Sequence, residues 1–193
     1  MSVSGIGTTG YPIAGYDTRQ TERNMAGGNF ADQMSGMVQT TQMGSGTFEL
    51  HISNDEDGKA IGSVCGADYS LTVYQPKDFD SANPVYKVKV WDKGGNVTER
   101  MVDVSKVDTK GSDYIDMFAY SSHLTASGEC PSAQSAFIRA GANQNGAENK
   151  THEDLFGTTD WISVLKDAMQ TQYGVGNLKG YLGYKQFWDF LDK

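Results

Sequence analysis

Cys130 is the residue of this sequence whose setting most suggests chemical reactivity, because it stands directly before Pro131. Proline suits the first position of a helix, so the pattern predicts Cys130 at a helix start, where backbone N–H groups stabilise a thiolate. His123, seven residues upstream, is a candidate base for such a nucleophile. An enzyme that uses Cys130 therefore stays open as an alternative. We favour the simpler interpretation of a small, non-catalytic thiol that fits its position.

Metal ligands are the next residues that could support chemistry. The histidines are widely scattered, and the chain contains no Cys-x-x-Cys or His-Glu-x-x-His motif. These observations predict that the chain holds no metal and no cofactor. The three histidines are His51, His123 and His152.

The acidic segment 53–64, SNDEDGKAIGSV, matches part of a calcium-binding EF-hand loop. Its third, fifth and sixth positions are Asp55, Asp57 and Gly58. An EF-hand loop also needs a ligand at its first position and a bidentate glutamate at its twelfth. Ser53 and Val64 stand at those two positions, so we interpret the segment as a solvated acidic turn.

The charge balance excludes several classes of partner. The chain has 193 residues, with 16 Lys and Arg against 24 Asp and Glu, for a net charge of −8. This charge opposes binding to nucleic acid and to anionic membranes. No apolar run reaches the roughly 20 residues of a membrane helix, and the first residues lack a signal-peptide pattern. We therefore expect a cytoplasmic protein with reduced thiols, although a Cys65–Cys130 bridge stays open.

Composition divides the chain into two parts. Residues 1–45 contain many small and polar residues and few large aliphatic ones, which predicts a flexible arm. An alternative is that this arm serves as a signal for non-classical export. Residues 46–193 are expected to form a single globular domain. The glycines of the arm are Gly5, Gly7, Gly10, Gly15, Gly27, Gly28, Gly36 and Gly44.

Alternating apolar and polar residues predict strands in the first half of the domain. Segments 48–52 (FELHI) and 69–74 (YSLTVY) have this pattern. The clearest case is 86–104, in which Tyr86, Val88 and Val90 share one face, and 98–104 forms a second strand. The glycines of the intervening DKGGN suit a tight turn. We predict a β-hairpin here and not a phosphate-binding loop, which would need a following helix.

Helical spacing begins after Gly111 and predicts four helices. The first extends to about Leu124, the second begins at Pro131, and segment 141–151 is a predicted loop. Thr158 or Thr159 is expected to cap the third helix, which ends at Gly174, and a short connector leads to the fourth. The combined pattern predicts an α+β fold, with an antiparallel sheet around the hairpin and helices packed on one side.

The last helix has aromatic residues on more than one face, and a helix of this kind must bury more than one face. Its predicted core stripe is Leu178, Tyr181, Leu182, Lys185, Trp188 and Leu191. We expect Trp188 to lie in the core and Tyr184 to lie on a surface that contacts a protein partner or a second copy of the chain.

Three phrases, SGIGTTGYPIAGYDTRQTERN, VYKVKVWDKGGNVTERMVDVSKVD and LKGYLGYKQFWDFL, together resemble an uncharacterised protein family of anaerobic gut-type Firmicutes. The resemblance implies no activity and no catalytic residue. The arm is also similar to the N-terminal segments of flagellar rod and hook proteins, but lacks their long apolar heptads. The sequence thus favours a non-catalytic protein-interaction or structural domain over an enzyme.

Overall fold

The central sheet is a meander in which each strand pairs with the next strand in the sequence. The computed structural model describes residues 39–43, 46–50, 58–143 and 151–192. Two strands, β1 and β2, form a separate antiparallel pair, and β3, β4, β5 and β6 form an antiparallel four-stranded sheet in that order. The bounds are β1 Gln39–Met43, β2 Gly46–Leu50, β3 Lys59–Cys65, β4 Tyr69–Gln75, β5 Val85–Asp92 and β6 Val97–Asp103.

The predicted hairpin is confirmed as β5 and β6, with Tyr86 opposite Val102. Its turn is held by the Asp92 carboxylate, which accepts hydrogen bonds from the backbone and the side chain of Asn96. Gly95 adopts a φ of +80°, which glycine reaches without strain. On the other edge of β5, Val88 lies opposite Val73 of β4, and both are fully buried. The alternation read from the sequence therefore identifies the core face of the sheet.

Strand β3 was not predicted, because its sequence, KAIGSVC, has few large apolar residues. The packing explains this composition. A side chain at Gly62 would overlap Ser122 and Gln134 of two helices, so only glycine fits this close approach. On the opposite face, Ser63 and Thr72 form a hydrogen bond of 3.0 Å between their hydroxyl groups. Small residues in β3 are therefore required by its neighbours.

All four predicted helices are present. They are α1 Tyr114–Ser127, α2 Ala133–Asn143, α3 Trp161–Gly174 and α4 Leu178–Leu191. Two short 3-10 helices at Val104–Lys106 and Glu153–Phe156 were not predicted. Asp113 caps α1, and α3 is capped by Asp160 and not by Thr158 or Thr159. The carboxylate of Asp160 reaches the free Ser163 N–H, so it supplies the capping bond directly.

The helices stack behind one another on the sheet. Helix α1 lies against β3, β4 and β5, α2 packs on α1, and the α3–α4 pair packs on α2. Aromatic rings of α1, α2 and α3 meet in the core, where the centroid of Phe137 lies 4.8 Å from those of Tyr114 and Trp161. The fold is α+β, which confirms the predicted fold class.

Helix α4 differs from the prediction. Tyr184, expected at the surface, is only 4% exposed, and the guanidinium of Arg139 lies 5.6 Å from the centre of its ring. Trp188, expected in the core, is half-buried. The buried residues of α4 are Tyr184, Phe187 and Leu191, of which only Leu191 belongs to the predicted stripe. Leu178 and Leu182 of that stripe are instead 60% and 53% exposed. Since α4 is apolar on several sides, its periodicity alone could not identify the buried side.

Several predictions lie wholly or partly outside the described residues. Within the predicted arm, Gln39–Met43 forms β1, which pairs with β2. Strand β2 covers the first part of the predicted 48–52 strand and lies near β3 and β4. The remainder of the arm, and with it the predicted domain boundary at residue 46, stays a prediction. In the predicted loop 141–151, the described residues at the start belong to α2.

Substitution of Gly62 tests the close approach of β3 to the helices. Gly62→Ala should lower the free energy of unfolding by about 1–3 kcal/mol, because the added methyl group overpacks the contact with Ser122. Gly174→Ala is the matched control, since a methyl group there meets no atom within 4 Å. Urea unfolding should show a loss for the first variant and none for the second. Equal stability of both variants would contradict this packing.

Substitution of Tyr184 tests the corrected orientation of α4. Tyr184→Ala should cost about 3–5 kcal/mol, the range typical of removing a buried aromatic ring. Leu182→Ala, which changes a 53% exposed side chain on the same helix, should alter stability by no more than about 0.5 kcal/mol. Thermal melting of both variants measures the difference. If Leu182→Ala destabilises the chain more than Tyr184→Ala, the described orientation is wrong.

Candidate functional site

The turn between α3 and α4 exposes a group of large apolar side chains. They are 53% to 73% exposed, whereas most large apolar residues of the described chain lie in the core. We call this group the terminal apolar surface. It consists of Tyr173, Val175, Leu178 and Leu182. Exposed apolar groups of this kind are typical of protein-binding sites.

Hydrogen bonds hold this turn in one conformation. The side chain of Asn177 accepts a hydrogen bond from Gly180 N–H at 3.0 Å, which caps α4. Its amide group donates to the Gln172 side chain at 2.6 Å, and its backbone N–H donates to the Gln172 carbonyl. Gly176 has a φ of +72°, which suits glycine at this position. The terminal apolar surface is therefore presented by a well-bonded helical hairpin.

The segment that carries this surface has lysines as its charged residues. Residues 168–188 contain Lys179 and Lys185 and no acidic residue, while the net charge of the chain is −8. Lys185 forms an ion pair with Asp189 at 2.7 Å. Asp189 thus neutralises Lys185, and Lys179 remains as the cation beside the terminal apolar surface.

Cys130 does not lie at a helix start, which corrects the sequence prediction. Helix α2 begins at Ala133, and Cys130 belongs to the turn after α1, where its N–H donates to the Leu124 carbonyl at 3.0 Å. The residue is only 3% exposed and lies in the hydrophobic core. Its Sγ atom lies 3.8 Å from the Ser132 hydroxyl. Cys130 is therefore placed as a small buried side chain.

His123 is bonded to a residue that the sequence analysis did not connect with it. Its Nδ1 atom lies 2.8 Å from the Tyr86 hydroxyl, and its Nε2 atom lies 3.9 Å from Glu129 Oε1. The nearby carboxylate favours a proton on Nε2, so the Tyr86 hydroxyl donates to Nδ1. In the described part of the chain, no hydrogen bond joins His123 to Cys130. The proposed base is therefore bonded to Tyr86 and not to the proposed nucleophile.

Burial shifts the acid–base properties of this pair. It raises the pKa of Tyr86 to about 12 and lowers the pKa of His123, against which the negative charge of Glu129 acts. Both groups are consequently neutral near pH 7. Tyr86 and His123 are 37 positions apart, and no local pattern indicates that they meet.

Other candidates from the sequence give no assembled site. Of the acidic loop 53–58, only Gly58 is described, with a φ of +102°, so the calcium interpretation falls on residues outside the description. Among the described residues, no three His, Cys, Asp or Glu side chains converge as metal ligands. Cys65 and Cys130 are both free. None of the described helices is long and apolar enough to cross a membrane.

Compared with protein-family models, with curated proteins and with solved structures, the chain matches none of them.

The pKa shift of His123 predicts a pH dependence of stability. Because its folded pKa is lowered, the unfolded chain binds the proton more tightly, and protonation favours unfolding. The neutral His123 side chain therefore contributes to the free energy of unfolding above a pH of about 6.5, which is the pKa of histidine in the unfolded chain. This contribution is lost as the pH falls through the lower pKa of His123 in the folded chain. His123→Gln removes the titrating group and keeps an acceptor for Tyr86.

Melting curves between about pH 7.5 and pH 5.5 test this sign, since that range spans the unfolded pKa of histidine. The parent should lose more melting temperature on acidification than His123→Gln. An equal loss in both proteins would assign the pH dependence to other groups.

Proposed function

We propose that this chain is a non-catalytic protein-interaction domain that binds a partner protein through the terminal apolar surface. The observation that carries the proposal is the exposure of Tyr173, Val175, Leu178 and Leu182 on one hydrogen-bonded helical turn. Covering large apolar side chains removes them from water and contributes about 25 cal/mol per Å² of buried apolar area. A rigid support lowers the entropic cost of binding.

The charge of the segment indicates the chemistry of the partner. Lys179 lies next to Leu178 on α4, and no acidic residue occurs between positions 168 and 188. A two-fold dimer through this surface would bring Lys179 of both copies to one interface, and like charges at an interface oppose association. A different protein, with an apolar centre and acidic residues around it, complements the surface better.

We also propose a cytoplasmic location and no nucleic-acid partner. A cytoplasmic location accords with the two free thiols, Cys65 and Cys130, which stay reduced there. The net charge of −8 argues against nucleic acid as a partner. The buried turn position of Cys130 supports a structural thiol over a nucleophile. The family resemblance of the sequence stays a prediction.

A double substitution, Leu178→Ser with Leu182→Ser, tests the proposal. Both side chains are exposed, so the variant should melt within a few degrees of the parent. The parent should capture a protein that the double variant loses. That protein, once purified, should bind the purified parent at least about tenfold more tightly than the variant. Phe156→Ser is the matched control, because it removes an exposed apolar residue elsewhere and should leave binding unchanged.

Sedimentation equilibrium distinguishes a different protein from a second copy of the chain as the partner of this surface. The parent should be monomeric at micromolar concentrations. A dimer that the double substitution dissociates would instead assign the terminal apolar surface to a second copy of the chain. If the parent and the double variant capture the same proteins with the same affinity, this surface is not the binding site.

A further inference from the structure

Strand β6 forms one edge of the four-stranded sheet, and half of its backbone groups point away from the sheet. At one end of the β5–β6 ladder, Val104 N–H donates to the Pro84 carbonyl, and at the other Asp92 N–H donates to the Asn96 carbonyl. Hydrogen-bonded residues alternate along an antiparallel strand. The even-numbered residues of β6 therefore bond to β5, and the odd-numbered residues direct their N–H and C=O groups outward. These residues are Val97, Glu99, Met101 and Asp103.

No described strand pairs with the outer side of β6. A groove of about 330 Å³ runs beside this edge, and we call it the strand-edge groove. Four consecutive residues of β6, from Arg100 to Asp103, line one side of it. The opposite side includes Val107, Asp108 and Ser112 from the segment before α1. A strand added to β6 would consequently place alternate side chains in the groove.

The cations of the groove are already paired. Arg100 Nη1 lies 2.7 Å from Asp113 Oδ2 and 2.9 Å from Asp116 Oδ1. Lys106 Nζ lies 2.6 Å from Asp103 Oδ2. Arg100 thus faces two carboxylates and Lys106 faces one. Both positive charges are therefore already neutralised and do not attract an anionic ligand.

Two acceptors in the groove have capacity for a ligand. Asp108 is exposed, accepts a hydrogen bond from Lys110 N–H, and forms no ion pair with any residue that the structure describes. Ser112 is only 6% exposed, and its Oγ atom is buried without a hydrogen-bond partner. A buried hydroxyl without a partner costs free energy that a ligand would recover. The unsatisfied groups therefore fit a cationic hydrogen-bond donor.

We propose that β6 binds an extended segment of a partner protein as a fifth strand of the sheet, with a lysine or arginine of that segment in the strand-edge groove. The outward backbone groups supply the strand pairing, and Asp108 and Ser112 select the basic side chain. On the other face of the sheet, Met101 is 58% exposed and offers apolar contact to neighbouring side chains of the added strand. This surface is separate from the terminal apolar surface.

Charge argues against a second copy of the chain as the added strand. In a two-fold antiparallel pair of β6 strands, residues on the same face lie opposite each other. Registers that align at least five residues are centred on Glu99, Arg100 or Met101. The register centred on Glu99 places Glu99 opposite Glu99, and the one centred on Arg100 places Arg100 opposite Arg100. The register centred on Met101 places Glu99 opposite Asp103. Like charges directly opposite each other destabilise strand pairing.

The test uses the full chain labelled with ¹⁵N and the seven-residue peptide acetyl-Val-Thr-Val-Lys-Val-Thr-Val-amide. Peptide additions up to about 1 mM, within the range of weak recognition, should shift the amide signals of β6. A peptide with Glu in place of Lys should bind about tenfold more weakly. A peptide with Pro in place of the third and fifth residues should not bind, since proline lacks the N–H group that pairs with the strand.

Protein variants locate the binding site. Asp108→Asn should reduce the preference for Lys over Glu to about twofold or less without lowering the melting temperature, because Asp108 is exposed. The Leu178→Ser, Leu182→Ser variant should bind the peptide as the parent does, which distinguishes this site from the proposed function.

Three outcomes overturn the proposal. The first is an absence of shifts in β6 at the highest peptide concentration. The second is equal binding of the lysine and proline peptides, which rules out strand pairing. The third is equal binding of the lysine and glutamate peptides, which rules out the basic side chain in the groove.

Discussion

The contact of aromatic rings among α1, α2 and α3 is the interaction on which the remaining architecture depends. Trp161 is the member of this cluster at the start of α3, and its Nε1–H donates to the Ser112 carbonyl at 3.0 Å. The same carbonyl accepts the Thr159 N–H. Because α3 has 14 residues, the terminal apolar surface lies about 21 Å along the helix from this anchor. Ser112 also lines the strand-edge groove. The same residue therefore holds the start of α3, whose other end carries the terminal apolar surface, and forms part of the groove.

Much of the fold could be predicted because its elements carry local signals. The β5–β6 hairpin has alternating residues around a glycine turn, and each helix has apolar residues at helical spacing. Strand β3 has no such signal. A side chain at its position 62 would overlap Ser122, which lies 60 positions later in the chain, so the glycine reflects a distant contact. The rotation of α4 was also not predictable, because the choice between Tyr184 and Trp188 for the core depends on how α2 and α3 are placed.

The candidate surfaces were predicted less well than the fold. The sequence placed Tyr184 on the exposed side of α4 and Leu178 and Leu182 in the core, whereas Tyr184 is buried and the two leucines are exposed. The strand-edge groove had no signal in the sequence. It depends on β6 lying at the edge of the sheet and on a salt bridge between Arg100 and Asp113, which belong to different elements. Such relations arise only when distant segments pack.

The order of the strands also has a kinetic consequence. Every strand of the four-stranded sheet pairs with its neighbour in the sequence, and α3 pairs with α4 in the same way. Chains dominated by such short-range contacts close small loops and cross low entropic barriers during folding. The longest-range element contact in the helical layer is that of α2 with α4. The contact of α1 with β3 spans more of the chain, since Gly62 and Ser122 lie 60 positions apart. Docking of the helices, on the sheet and on one another, is therefore the step in which folding must close its larger loops.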